Sequence, residues 1–464
     1  MTRKSVIFGI ILLLFGMQII PISGSAENIT YYNKSISPFF SSNEDNLVII
    51  APEMFSTDLQ SLINHKNDHG ITTILKTVEE VYSEYEGRDN QEKIKYFIKD
   101  AIENLSINYV LLVGGVDQIP IRECCISFES YVSSVLSDLY YADIYDENQS
   151  FCSWDSDNDE KYAEYYDYNH PDNDKVDLYP DVCLGRLACS NNREVINVVR
   201  KIIHYETQTY GEDWFNNIVL MGGDSHIHGM PGYEGNEGEY ENLLIEQIMC
   251  DFTSTRIWAS QGNFNARSIN QAIRKGAGFV HYSGHGSRTG VQTHPPNNET
   301  WVTYHTKNLI TLFNKNKLPI VWLSACATAW LDFKYYEQFN NTPIIELLLR
   351  TLYKATGYPS YFAWNWMRKT NGGAIAVIGS TRGSFGGAPN ASEVSGLLAL
   401  KFFEAYNTSS TVGEMFAQAQ TDFRNNASWG PPQYPNDFCR WNHIVLEEFV
   451  LLGDPSLKIG GYPT

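Results

Sequence analysis

Two apolar runs in this chain end on residues able to do covalent chemistry. Gly278-Phe279-Val280-His281-Tyr282-Ser283-Gly284-His285-Gly286 stops at a histidine, and Leu318-Pro319-Ile320-Val321-Trp322-Leu323-Ser324-Ala325-Cys326 stops at a cysteine. A cysteine attacks as its thiolate, and an unperturbed thiol with a pKa of ~8.5 is only slightly ionised at neutral pH. A nearby imidazolium lowers that pKa and later returns a proton to a leaving amine. Gly284 and Gly286 let the backbone turn sharply beside His285 and approach a substrate closely. The amide of Gly286, with that of Cys326, would donate to an oxyanion, each such donor contributing roughly 3–4 kcal/mol. Taken singly, a cysteine or a histidine closing an apolar run is more often structural. Their joint occurrence points to a nucleophile and its base.

The interval between them, 326 − 285 = 41 residues, suits a strand, a crossover and a second, parallel strand. Adjacent parallel strands deliver both side chains to one carboxyl edge, where open α/β sheets build their sites. Further buried-strand patterns occur at Leu47–Ile50, Tyr109–Val113, Val182–Leu187, Asn217–Met221, Thr255–Ala259 and Gly373–Gly379. Helical patterns occupy Asp58–His69, Gln91–Leu105, Arg193–Glu206, Glu239–Cys250, Ala266–Lys275 and Lys307–Asn314. This alternation predicts an α/β fold of two adjacent α/β subdomains with mostly parallel sheets. The polar, aperiodic stretch Thr207–Asp213 divides a first unit, 46–207, from a second, 214–460, that carries the Cys/His pair.

The chain has 464 residues and begins with Arg3 and Lys4, an apolar run from Val6 to Ile22, and small residues from Ser23 to Ala26. That order predicts a cleavable secretory signal over 1–26, followed by a polar extension over 27–45. An uncleaved anchor is the alternative, because the run is near the minimum spanning length. Asn-x-Ser/Thr sequons at Asn28, Asn33, Asn104, Asn148, Asn298, Asn340, Asn390, Asn407 and Asn426 fit a secreted, extracellular surface. A net charge of −20 argues against nucleic acid and anionic membranes as partners and leaves protein or peptide substrates. Eight cysteines are too few for a disulfide scaffold of this length, although Cys183 and Cys189 are close enough for a local bridge.

Asp155-Ser156-Asp157-Asn158-Asp159, with Glu164 five residues on, places acids at alternate positions, as loops that offer oxygens to Ca²⁺ do. It lacks the glycine and terminal glutamate of an EF-hand, and a solvated acidic loop is the plainer alternative. Such a Ca²⁺ would be structural, with no cofactor needed for catalysis. His281 and His285 are four apart, a metal-ligand spacing on a helix, but their β-rich, glycine-flanked context opposes a zinc site.

His-Gly closing one apolar strand and Ala-Cys closing the next resembles the caspase, legumain and clostripain clan of cysteine peptidases. Within it, Tyr109–Asp117, Pro180–Arg186, His281–Gly286, Gly373–Gly379 and Leu451–Ser456 look like the gingipain family. The resemblance runs over roughly 46–460 and implies a caspase-like second subdomain, with His285 and Cys326 as the dyad of a peptide hydrolase. It also implies an acid before the histidine strand that binds Arg or Lys, for which Glu237 is the candidate. The other reading of Glu237 is a solvated helix start. Asp224 would occupy the family's second acidic position, orienting His285. The rival function is a catalytically inactive, calcium-stabilised binding protein on the same fold; retention of both His285 and Cys326 favours the enzyme.

Overall fold

Strands made of aliphatic and β-branched residues without polar alternation are stable only when both faces are covered. The computed structural model of the chain, which describes residues 45–128, 131–166, 170–226, 237–334, 343–356, 360–386, 391–429 and 438–463, uses them in that way. The signal segment and nearly all of the extension expected from the sequence lie outside the described residues. Among the described residues no helix is long and apolar enough to cross a membrane.

The first half contributes β1 (Asp45–Ala51), β2 (Ile71–Thr77), β3 (Tyr109–Val113), a hairpin of β4 (Arg122–Phe128) and β5 (Tyr131–Ser137), and β6 (Cys183–Leu187). The second contributes β7 (Asn217–Gly222), β8 (Thr253–Trp258), β9 (Phe279–Ser283), then β10 (His285–Ser287), β11 (Gly290–Thr293) and β12 (Val302–His305). It closes with β13 (Ile320–Ser324), β14 (Ala376–Ser380) and β15 (Phe449–Leu452). Ten of these form one sheet in the order β2-β1-β3-β6-β15-β14-β13-β9-β7-β8. All neighbours run parallel except β14 and β15. The α/β architecture expected from the sequence is the one observed.

The boundary expected at 207–213 does not interrupt the sheet. β15 comes from the end of the chain, yet it pairs with β14 on one side and β6 on the other, joining the two halves. The turn that follows it is anchored just as firmly. Asp454 reaches Lys66 at 2.7 Å and Lys66 reaches Glu206 at 2.8 Å, all three side chains fully buried. Burial opposes the Lys66 charge, but the two carboxylates outweigh it and hold the ammonium well above its ordinary range. Helix Ser56–Asp68, helix Asn192–Gln208 and the Gly453-Asp454-Pro455 turn are thereby tied to one charge centre. Arg186 on β6, also buried, grips Asp138 through Nε (2.7 Å) and Nη2 (2.6 Å).

Helix starts follow local chemistry. Thr77 and Thr411 form capping boxes with Glu80 and Glu414, and Asp89, Asn191 and Asn265 each accept an amide of the first turn. The helix expected over Lys307–Asn314 is only a turn, Thr306–Leu309; beyond it Asn314 donates to the Lys317 and Gly373 carbonyls instead. All eight cysteines are free, so Cys183 and Cys189, close enough in sequence for a bridge, do not form one. Both thiols pack in the core instead.

Candidate active site

β9 and β13 are fully buried neighbours in register, with Ser283 opposite Ser324. His285 and Cys326 each lie two residues past those partners, so the register alone brings them to the same edge. Gly284, at φ +152°, carries the chain over that edge and donates its N–H to the Ser324 carbonyl at 3.2 Å. Gly286 then runs against the cysteine backbone: a Cβ there would sit 2.3 Å from the Cys326 carbonyl oxygen. Only glycine allows that approach.

The first half of the sheet repeats this backbone without its chemistry. Val113 and Leu187 end β3 and β6 in register, and Gly114 donates to Leu187 at 2.9 Å as Gly284 does to Ser324. Ala188-Cys189 stands where Ala325-Cys326 stands, but Gly115 occupies the histidine position. Cys189 is fully buried, and burial pushes its thiol far up. One edge is equipped for nucleophilic chemistry and its counterpart is not.

At the equipped edge each partner is engaged elsewhere. The Cys326 thiol donates to the Ser384 carbonyl at 3.1 Å, in the segment after β14. His285 Nε2 lies 2.7 Å from the Ser225 carbonyl, and its ring meets Trp301 edge-on at 5.3 Å. Burial raises the Cys326 pKa, and the nearby Glu448 raises it further. Glu448 is itself pushed up to about 8 by burial.

A cavity of about 280 Å³ opens beside the pair. One wall is helix Glu237–Ile248, which presents Glu237, Tyr240 and Glu241; Phe385, Ser395, Gly396 and Trp441 line the other side. Glu237, the acid chosen from the sequence, does line the cavity. Its Oε2 accepts the Ser225 N–H at 2.9 Å, and Oε1 lies 3.6 Å from His226 Nδ1. Burial works to raise its pKa, but hydrogen bonds from His226 and Ser225 hold it below the usual range.

Among the described residues, the Asp224 carboxylate meets histidines other than His285. It accepts the His226 N–H at 2.9 Å and lies 3.8 Å from His294 Nδ1, while the Asp224 backbone bridges to His294. His285 Nε2 contacts the Ser225 carbonyl instead. Burial, with the neighbouring Glu237, raises the Asp224 pKa.

Sequence reasoning missed Glu241. Of three acids on the first turns of its helix, Glu239 turns to Ser260 (2.9 and 2.6 Å), whereas Glu237 and Glu241, four apart, share the cavity face. That i, i+4 spacing was the available signal. His281 is held between Asn242 and Glu241 at 2.8 and 3.0 Å.

Asp155, Asp157 and Asp159 bring carboxylate oxygens within 4.8 Å of one another, an oxygen-only donor set suited to a hard cation. Arg88 pairs with Asp155, and Lys161 with Asp159 at 2.5 Å, so part of the negative charge is already countered. Glu164 is not in the cluster. It takes Lys161 at 3.0 Å and the Tyr166 hydroxyl at 2.6 Å.

Known proteins resemble this chain in sequence and in fold. Gingipain R2 of Porphyromonas gingivalis is 23% identical over 445 residues, covering 93% of this chain and 48% of its own length. Gingipain R1 of the same organism is 22% identical over 436 residues, with 91% of this chain and 35% of its own covered. The chain thus spans about half or less of the curated relatives it matches. Among solved structures, the Arg-specific cysteine proteinase gingipain R has the same fold, at a TM-score of 0.62 and 20% identity over 90% of this chain and 78% of that one. The complex of the pro- and mature domains of Porphyromonas gingivalis RgpB matches at a TM-score of 0.61 and 19% identity, covering 89% of this chain and 79% of that one. The model of peptidase family C25 matches residues 41–460, and the chain belongs to that family, the gingipain-type cysteine peptidases.

Proposed function

We propose that this protein is a secreted cysteine endopeptidase that cleaves peptide bonds after Arg or Lys, with Cys326 as nucleophile and His285 as its base. The observation that carries the reading is the Ser283–Ser324 register, which puts both residues at one strand edge beside an acid-lined cavity. In the reaction, His285 takes the thiol proton and Sγ bonds to the scissile carbonyl carbon. The resulting oxyanion is received by the amides of Gly286 and Cys326. Collapse breaks the C–N bond, His285 returns its proton to the departing amine, and water then hydrolyses the thioester.

The resting contacts of Cys326 with Ser384 and of His285 with Ser225 must both give way before the thiol and imidazole can meet. A guanidinium entering the cavity would find a carboxylate held in its ionised form at Glu237. Ca²⁺ at Asp155, Asp157 and Asp159 is assigned a structural role in the first half, remote in sequence from the reacting groups. Secretion is supported by the basic and apolar start of the chain.

The experiment is to assay purified protein, with and without Ca²⁺, against fluorogenic peptides ending in Arg, Lys, Asn or Asp, beside Cys326→Ala. Cleavage after Arg or Lys that disappears in Cys326→Ala is expected. Activity surviving that substitution ends the dyad assignment, and preference for Asn or Asp ends the role of Glu237.

A further inference from the structure

Glu241 sits under the dyad strands, and its hydrogen bonds can be counted. Ser324 Oγ donates to Oε1 at 2.8 Å, and Ser283 Oγ donates to Oε2 at 2.8 Å. His281 Nε2 lies 3.0 Å from Oε1. Among the described residues Oε1 therefore has two partners and Oε2 one, so Oε2 keeps an acceptor site. Gly396 faces it: a Cβ at that position would stand 3.5 Å from Oε2. The glutamate side chain is 10% exposed, whereas His281 is wholly enclosed. From the cavity, then, the reachable atoms of the pair belong to the carboxylate.

The same network fixes a proton. Asn242 Nδ2 donates to the carbonyls of Met221 (3.0 Å) and Gly238 (2.7 Å), which orients the amide and leaves Oδ1 to face His281 Nδ1 at 2.8 Å. Nδ1 must therefore carry hydrogen. The contact between Nε2 and Glu241 then needs a second proton, held between the two groups, and the pair is neutral overall.

We propose that Glu241 is a second specificity-determining residue, which binds the charged end of a long cationic substrate side chain through Oε2 and in doing so displaces the proton it shares with His281. The inference rests on the reading that substrates carry Arg or Lys at the cleaved bond. An arriving guanidinium or ammonium and an imidazolium repel each other across one carboxylate, so one proton leaves to solvent as the cation binds. The groups around the pair on β7, β9, β13 and helix Val394–Glu404 are neutral: Leu220, Ser283, Trp322, Ser324, Ser395, Gly396 and the Phe403 ring. Its own helix adds Glu237 and Glu239, with Asp224 and His226 beyond them and His285 and Cys326 across the cavity. Of these, His226, Asp224 and Glu239, each raised above its ordinary range, are the ones whose titration would mimic the effect, whereas Glu237 stays ionised throughout.

The test compares kcat/KM for peptides ending in Arg with isosteric peptides ending in citrulline, from pH 5.5 to 8.5, a ratio in which dyad ionisations cancel. In the wild type the ratio is expected to rise with pH toward the one-proton limit of about tenfold per unit. Glu237→Gln should keep that pH trend. Glu241→Gln should lose it and lower the ratio by about 30-fold, the scale of one charge-assisted hydrogen bond. A merely structural Glu241 would depress both substrates together and leave the ratio intact. A wild-type ratio flat with pH, or one unchanged in Glu241→Gln while Arg preference persists, overturns the proposal and leaves Glu237 alone as the reader. A wild type indifferent to Arg over citrulline at every pH overturns both this proposal and the reading beneath it.

Discussion

Cys326 donates its thiol proton to the carbonyl oxygen of Ser384 across 3.1 Å, so the nucleophile rests against the segment that follows β14. Glu448, fully buried nearby, ionises at about 8 and adds negative charge that opposes the thiolate. Below pH 7 Glu448 is mostly neutral, so Glu448→Gln should leave the rate of Cys326 alkylation by iodoacetamide near that of wild type. Above pH 9 the wild-type carboxylate is charged and the variant should react several-fold faster. Equal rates at both ends of the range would separate Glu448 from the thiol.

The same group makes a stability prediction with a definite sign. Its folded pKa of about 8 lies above the ordinary value, so its neutral form stabilises the fold at low pH. That contribution is lost as pH rises through about 8. Glu448→Gln should therefore melt with the wild type at pH 5 and several degrees above it at pH 8.5, as read by differential scanning calorimetry.

Gly286 tests the approach between the two loops. Alanine would push a methyl group into the Cys326 carbonyl oxygen, 2.3 Å away, and the backbone would have to move. Gly286→Ala is expected to lower kcat/KM by at least about 100-fold, since a shift of roughly 1 Å at a reacting centre costs that much. Wild-type kinetics in this variant would show that the approach is dispensable.

The joint between the halves is tested at Lys66. Lys66→Met leaves Glu206 and Asp454 buried without their shared cation. Breaking a buried pair in this way costs on the order of 3–5 kcal/mol. Urea denaturation should show a loss of that size, with the transition moving for both halves together because they share one sheet.

Ca²⁺ at Asp155, Asp157 and Asp159 predicts a rise in melting temperature with millimolar Ca²⁺ and its reversal by a chelator. Asp157→Asn should abolish the shift. Asp157 is exposed, so the substitution should do little to the calcium-free protein. A melting temperature indifferent to Ca²⁺ removes the site.

Much of this was legible in sequence, for reasons that also mark where legibility ended. The runs ending at His285 and Cys326 read as buried strands because they are apolar without alternation, and their spacing fixed a parallel crossover. Phe449–Leu452 is apolar in the same way, but nothing local states that it runs antiparallel to β14 and joins the halves. Its direction is set by partners 69 or more residues away. Asp224 follows its strand as expected, but its carboxylate meets His226 and His294, partners that no local sequence signal names. Glu241 escaped notice because its role depends on Ser283, Ser324 and His281 from two other strands, a convergence only the tertiary fold creates.

The central claim is that Cys326 forms the covalent bond to substrate. Treating the protein with a peptidyl-arginine acyloxymethyl ketone, digesting it and locating the adduct by mass spectrometry tests that claim most directly. The adduct is predicted on Cys326 alone, formed in parallel with loss of activity and absent in His285→Ala. Labelling of any other cysteine in step with inactivation, or full activity with Cys326 modified, would contradict it.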